Sequence, residues 1–256
     1  EPVALQLQVH SNATACASKA AELLLTACQR HPHRPLGLAT GRTMEPVYQA
    51  FVAQVRDLPA AEQQQLRHHW CSFNLDEYVG LAADDPRSFR AFMGHHLVDP
   101  LALDPKRVHL PRALPLTRAT PQAAWAEAQR YGQALAAAGG VGLQLLGLGG
   151  NGHVGFNEPP TPATARCRPV QLSASTRRQN AAAFGGEPAA VPSGAISLGL
   201  AEILAAEQIC LVVTGASKGP ILRRLLQEPP SAQLPASWLQ EHPRALLLAD
   251  QEAMAG

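Results

Sequence analysis

Leu143-Gln144-Leu145-Leu146-Gly147-Leu148-Gly149-Gly150-Asn151-Gly152-His153 is the stretch on which the fold turns. It opens as an apolar run and breaks at once into glycines. A short apolar run ending in Gly reads as a buried strand delivered into a tight loop. Ahead of it, Pro121 to Ala138 is Ala-rich and helical, and Gly139-Gly140 stops the helix. Behind it, a Gly- and Pro-rich loop runs to about Arg168.

The same alternation extends in both directions. Ser11 and Asn12 are caps for a helix to about Arg30, and Leu36-Gly37-Leu38-Ala39 follows as a short buried strand. Thr40-Gly41-Arg42-Thr43 turns into a helix through Val47, Phe51 and Val55. A further helix precedes His69-Trp70-Cys71-Ser72-Phe73, read as a second strand. Ser88 to Leu97 reads as helix and Val108-His109-Leu110 as a brief strand. Past the opening stretch, Ser173 to Phe184 and Lys218 to Gln227 read as helices. Gln208 to Val213 and Arg244 to Ala249 read as strands, and Pro229 to Pro235 as a surface loop. Strands separated by helices predict an α/β fold: a doubly wound, mainly parallel sheet with helices on both faces. Such sheets hold ligands at the carboxyl ends of their strands. The unusual segments all follow strands: Thr40 to Thr43, Asn74 to Gly80, Gly149 to Glu158, and Thr214 to Lys218.

Composition bounds the rest. The 256 residues are 46% hydrophobic and 16% charged, enough for a full core. No internal repeat or linker divides them, so one domain over 1–256 is expected. A net charge of +1 with scattered Lys and Arg leaves no footprint for nucleic acid or an anionic membrane surface. Tyr131 to Asn157 is the longest uncharged stretch, but its glycines, Gln133, Gln144, Asn151 and His153 argue against a membrane span. The five cysteines are widely spaced with no C-x-x-C pair, which points to buried, reduced thiols in a cytoplasmic protein. No signal peptide opens the chain, and Glu1-Pro2 in place of Met suggests a trimmed start.

Four constellations could carry chemistry. Gly147 to Gly152 matches the dinucleotide pattern G-x-G-x-x-G, but no helix is expected after it and no acid lies about 20 residues on. His153 and Glu158 share the loop that follows, where a carboxylate can set the tautomer of an acid–base imidazole; a structural His in a turn is the alternative. Asp76 and Glu77 are adjacent carboxylates at a strand end, so one can face a pocket while the other makes a structural contact. Thr40-Gly41-Arg42-Thr43 and Thr214-Gly215-Ala216-Ser217-Lys218 each set hydroxyls and amides before a helix, as a phosphate seat or a helix cap. The pairs His68-His69 and His95-His96 lack partners at metal spacing, and Trp70, Trp125 and Trp238 read as core or edge packing.

Taken together and in order, these segments resemble the amino-sugar-phosphate deaminase/isomerase family. The resemblance is carried by Leu38 to Thr43, Phe73 to Leu81, Leu146 to Pro159, Ser197 to Leu200 and Thr214 to Lys218, and so covers most of the chain. It implies a Rossmann-like fold and a 2-amino-2-deoxyhexose 6-phosphate substrate, converted to a ketose 6-phosphate and ammonia. His153 would open the ring, oriented by Glu158 and Asn151. Asp76 would move the proton from carbon 2 to carbon 1. Thr40, Gly41, Arg42, Thr43 and Lys218 would hold the phosphate. No metal or organic cofactor is implied. A small-molecule amino-sugar phosphate is the expected partner; the sequence leaves the oligomeric state, a homo-oligomer included, open.

The chain departs from the family pattern at five positions. Asn151 stands where some members have Asp, Arg42 where many glucosamine enzymes have Gly, and Ala182 where they often carry a phosphate-binding Arg. Arg42 is expected to supply that missing charge. At the effector site of hexameric members, Arg168 is kept, but Thr161 and Val170 replace Ser and Lys, so no strong activation by an amino-sugar effector is expected. Gly194 to Leu200 and Leu234 to Leu239 lean to the galactosamine branch. Two further readings compete: a 6-phosphogluconolactonase-type hydrolase, and a non-catalytic sugar-phosphate sensor.

Overall fold

The computed structural model describes residues 5–256, so the start at Glu1-Pro2 lies outside the described residues. The chain runs β1 (Gln6–His10), α1 (Ala13–Arg30), β2 (Leu36–Leu38), α2 (Met44–Arg56), α3 (Ala60–His69), β3 (Ser72–Asn74) and β4 (Asp76–Gly80). A helical stretch follows, α4 (Phe89–Met93), a π turn and α5 (Asp99–Leu101), and then β5 (Val108–His109) and β6 (Leu114–Pro115). The second half runs α6 (Pro121–Ala137), β7 (Leu143–Gly147), β8 (Arg168–Gln171), α7 (Ala174–Asn180) and β9 (Gly194–Ser197). It closes with α8 (Leu200–Leu204), β10 (Gln208–Val213), α9 (Gly219–Gln227), β11 (Ala245–Asp250) and α10 (Gln251–Ala255).

Seven strands form a parallel sheet in the order β1-β11-β10-β7-β2-β3-β5, flanked by helices. β10 and β11 are buried almost end to end, because a parallel sheet covered on both faces shields both sides of each strand. This explains why they read as continuous apolar runs. β1 is the exposed edge, and its Gln-Leu-Gln-Val pattern carries no such run, which hid it from the sequence reading.

A second sheet, in the order β6-β4-β9-β8, was not anticipated. β9 pairs antiparallel with both β4 and β8. The segment Asn74 to Gly80, expected as a loop, is therefore mostly strand. Leu75 joins the two sheets: its N–H donates to Leu38 O at 3.0 Å and its carbonyl accepts from Leu198 N at 2.8 Å. Tyr78, Phe156, Phe184, Leu172 and Val191 pack into a small second core over this sheet.

Other expectations shift at their edges. His69 ends helix α3, Trp70 leaves it with extended backbone, and the strand begins only at Ser72. Arg168, the expected end of a loop, begins β8, whose partly polar residues pair with β9. The helix over Ser173 to Phe184 is α7 followed by a 3-10 turn at Ala181–Phe184. Leu234 and Pro235, read as part of a surface loop, are buried beneath the loop that follows β7, where Leu234 meets Gly152. Trp70 is core and Trp238 is partly buried, but Trp125 is 54% exposed on α6. All five cysteines are free. Among the described residues, no helix is long and apolar enough to cross a membrane.

Candidate active site

β10, β7, β2 and β3 are consecutive neighbours in the parallel sheet, so their carboxyl ends lie side by side. The four segments singled out in the sequence leave from these four ends. Lys218, after β10, donates from Nζ to the carbonyl of Leu148, after β7, at 2.7 Å. Met44, which opens α2 after the Thr40–Thr43 turn, reaches Gly147 at the end of β7. Gly155, in the loop after β7, lies against Leu75 and Ser197, the residues flanking and facing Asp76.

His153 is held by a relay rather than by a direct carboxylate contact. Its Nδ1 lies 2.6 Å from Asn151 Oδ1, and Asn151 Nδ2 donates to Glu158 Oε1 at 3.1 Å. A carboxylate only accepts, so the amide must turn its NH2 toward Glu158 and its oxygen toward the ring. The Nδ1 proton then sits between His153 and Asn151, and Nε2 keeps its lone pair. The ring lies directly on Gly149, where a Cβ would fall inside it. Burial pulls the imidazole pKa down to about 4, outweighing the Glu158 charge that raises it, and Lys218 lowers it further. His153 is thus neutral at ordinary pH, the form that can take a proton at Nε2.

Glu158 is the most heavily bonded carboxylate of the site. It accepts from the backbone N–H of Ser173 at 2.8 Å, from Ser173 Oγ at 2.6 Å, from Thr176 Oγ1 and from Asn151. Burial pushes its pKa up, but these donors outweigh it and hold the group ionised. Neither Ser173 nor Thr176 was recognised from the sequence. The only signal was a Ser at the expected start of a helix.

Asp76 and Glu77 divide as adjacent strand residues do, to opposite faces. Glu77 accepts from the backbone N–H groups of Tyr78, Phe89 and Arg90, and so anchors the start of α4. Asp76 is 6% exposed, and no donor among the described residues reaches its carboxylate. Burial, with the charge of Glu77 added, pushes its pKa up to about 8.

The two helix-start loops keep part of their polar groups free of internal bonds. Gly41 adopts φ +108°, a conformation suited to Gly, and the turn closes by Met44 N–H to Gly41 O at 3.0 Å. Neither Thr43 nor Lys218 caps its helix through its side chain, which leaves Thr40, Thr43 and the neighbouring amides for a ligand. Arg42 is exposed at the rim. The second loop is anchored from below by Asp250, a residue the sequence did not flag, which accepts from Gly215 N–H at 3.0 Å. Burial lowers the pKa of Lys218.

The G-x-G-x-x-G match does not open a helix; the next α-helix after β7 starts at Ala174. His68 and His69 stack edge to face, as do His95 and His96. Among the described residues, no group of three or more His, Cys, Asp or Glu side chains is placed to hold a metal ion.

This arrangement has relatives. A glucosamine-6-phosphate deaminase of Shouchella clausii is 39% identical over 235 residues, covering 92% of this chain and 90% of that protein. The solved structure of a monomeric glucosamine-6-phosphate deaminase superposes with a TM-score of 0.87 at 32% identity, over 98% of this chain and 99% of that one. A 6-phosphogluconolactonase from Leishmania guyanensis shares the fold, with a TM-score of 0.74 at 23% identity over 99% of this chain and 98% of that one. The family described as glucosamine-6-phosphate isomerases/6-phosphogluconolactonase matches residues 8–248, which takes in every loop described above and both sheets except the outer ends of β1 and β11. With sequence and fold in agreement over nearly its whole length, the chain belongs to the glucosamine-6-phosphate isomerase/6-phosphogluconolactonase family.

Proposed function

We propose that this chain is a deaminating aldose–ketose isomerase. It converts a 2-amino-2-deoxyhexose 6-phosphate, glucosamine 6-phosphate first among them, to the ketose 6-phosphate and ammonia. The observation that carries this reading is Asp76: a buried, unengaged carboxylate on the same sheet end as a neutral imidazole with a free Nε2. A lactone hydrolase needs the imidazole but has no task for a second, isolated carboxylate. The relatives named above favour glucosamine over galactosamine.

Thr40, Gly41, Arg42, Thr43 and Lys218 hold the phosphate, with Arg42 supplying charge that Ala182 does not. His153 takes the anomeric hydroxyl proton at Nε2 and returns a proton to the ring oxygen, which opens the ring. Asn151 and Glu158 keep the ring in the tautomer this requires. Asp76 then removes the proton from carbon 2, leaving an enolamine, and returns it at carbon 1 to give a ketimine. Water adds at carbon 2 and ammonia leaves, so the carbon–nitrogen bond is hydrolysed overall. The substrate ammonium beside Asp76 favours its ionised form, so binding itself delivers the base.

One chain supplies every group named here. The reading therefore treats 1–256 as one domain that works without a second subunit in its site, whether or not copies associate. The five free thiols support a reducing, cytoplasmic setting.

The test is ammonia release from glucosamine 6-phosphate and galactosamine 6-phosphate, side by side, without added metal. Release from the first establishes the reaction and its preferred epimer. No release from either, with hydrolysis of 6-phosphogluconolactone, would replace the reading with the lactonase one. No turnover at all, with tight binding of an amino-sugar phosphate, would leave a sensor.

A further inference from the structure

Helix α7 is tied to both halves of the catalytic machinery. At its start, Ser173 and Thr176 contribute three of the four donors on Glu158. At its end, Asn180 lies beside Tyr78, two residues along β4 from Asp76. Between them, Gln179 extends toward Gly150 of the catalytic loop. The second core fixes the helix from behind, through Ala181 and Phe184 against Tyr78 and Phe156.

The relay to His153 works only if the Asn151 amide keeps one orientation. Two contacts enforce it: the His153 backbone N–H donates to Asn151 Oδ1 at 3.2 Å, and Glu158, placed by α7, accepts from Nδ2. Ser173 Oγ and Thr176 Oγ1 lie 3.2 Å apart and meet on the same carboxylate oxygen, Oε1, that receives the Asn151 amide. We propose that Ser173 and Thr176 are positioning residues for the ring-opening step: they hold Glu158 so that Asn151 presents its oxygen, not its NH2, to His153. The chain of contacts makes the seating of α7 a condition for a competent imidazole. This rests on the amino-sugar-phosphate reading above.

The charged surroundings are few. His153 and Lys218 face the relay from the catalytic loop and the β10 loop. Arg168 on β8 bonds Asn157 Oδ1, Arg177 is tied to the carbonyls of Val191 and Ala189, and Arg178 is exposed. The hydroxyl and amide donors therefore dominate the ionisation of Glu158. Removing them raises its pKa, and the acid limb of activity moves to higher pH.

The experiment uses Thr176→Val, which keeps the buried volume, and Ser173→Ala, with Thr176→Ser as the conservative rescue. In each, the tautomer of His153 is read by 15N NMR of the imidazole, and kcat and KM are followed across pH. The expected result is a mixed tautomer in place of a protonated Nδ1, and an acid limb moved up. kcat falls by roughly tenfold to a hundredfold, at or below the lower end of the ~10²–10⁴ that acid–base catalysis contributes, because the residues act through Glu158 and Asn151. KM stays within about threefold, and Thr176→Ser restores both readouts. A folded Thr176→Val or Ser173→Ala with unchanged tautomer and acid limb overturns the proposal, even if its thermal stability drops. Because the tautomer is read without turnover, it tests the relay even if the wild type releases no ammonia. That outcome would sink the functional reading alone.

Discussion

His153 places Nδ1 2.6 Å from Oδ1 of Asn151, and the uncharged amide stands where a carboxylate would be the obvious partner. An amide orients a ring but does not stabilise its cation by charge. The negative charge is one residue further away, on Glu158, and arrives through the Asn151 dipole. Burial outweighs that charge, so His153 is neutral and poised to accept a proton.

Asp76→Asn should abolish turnover while sparing substrate binding, since the base is lost and the phosphate loops are untouched. It should also make the protein more stable. The folded pKa of Asp76, about 8, lies above its unfolded value near 3.8. The native state thus holds the proton more tightly, a preference fully present below pH ~4 and lost as pH rises through ~8. Asn stays neutral throughout. The variant should gain on the order of 2–4 kcal/mol at pH 7. Denaturation at pH 4 and pH 7 checks this: the gap between variant and wild type should widen with pH.

His153→Gln should slow reaction of the closed-ring substrate far more than that of an open-chain analogue. Gln cannot relay a proton between the anomeric hydroxyl and the ring oxygen. Equal slowing of both would remove His153 from ring opening.

The pH dependence of stability should carry a second mark. The folded pKa of His153, about 4, lies below its ordinary 6.5. Stability from the neutral ring is present above pH ~6.5 and lost as pH falls toward ~4, because the unfolded chain takes up the proton first. Relative to wild type, His153→Gln should be progressively more stable below pH ~6.5, measured by urea denaturation at stepped pH.

Arg42→Ala should raise KM for the sugar phosphate by about tenfold with a smaller change in kcat, as for one lost charge-assisted contact. Lys218→Met should do more, because Lys218 is held within the site while Arg42 sits at its rim. Steady-state kinetics at two salt concentrations separates them: the Arg42 effect should weaken more at high salt.

Gly149→Ala should cost activity out of proportion to its size. The added Cβ would occupy the His153 ring position, so the ring must move off the Asn151 oxygen. kcat should fall by on the order of a hundredfold while phosphate affinity persists. Product inhibition by the ketose phosphate measures the latter.

Much of this was written in the linear chain. The buried strands β7, β10 and β11 announce themselves because a parallel sheet covered on both faces demands uninterrupted apolar residues. The loops after β2, β7 and β10 stand out because tight turns at strand ends need Gly and polar groups. With the strand order unknown, those loops pointed to a shared site only through the general rule for parallel sheets. Asp76, Asn151, His153, Glu158 and the two helix-start loops after β2 and β10 all stand out in the linear chain.

Tertiary structure decided what those residues do to one another. Strands β10, β7, β2 and β3 are neighbours only because the sheet is wound that way, and no local pattern states their order. The crossing at Leu75, which sets Asp76 at the junction of two sheets, depends on pairing with Leu38 and Leu198, 37 and 123 residues away in the chain. The division of labour between Asp76 and Glu77 required knowing which face meets α4. The hold of Ser173 and Thr176 on Glu158 joins segments that local propensity treats as unrelated. Sequence determines which side chains can do chemistry, because that is a property of residue type and short spacing. Their partners and protonation states come from long-range packing and burial, which exist only in the folded chain.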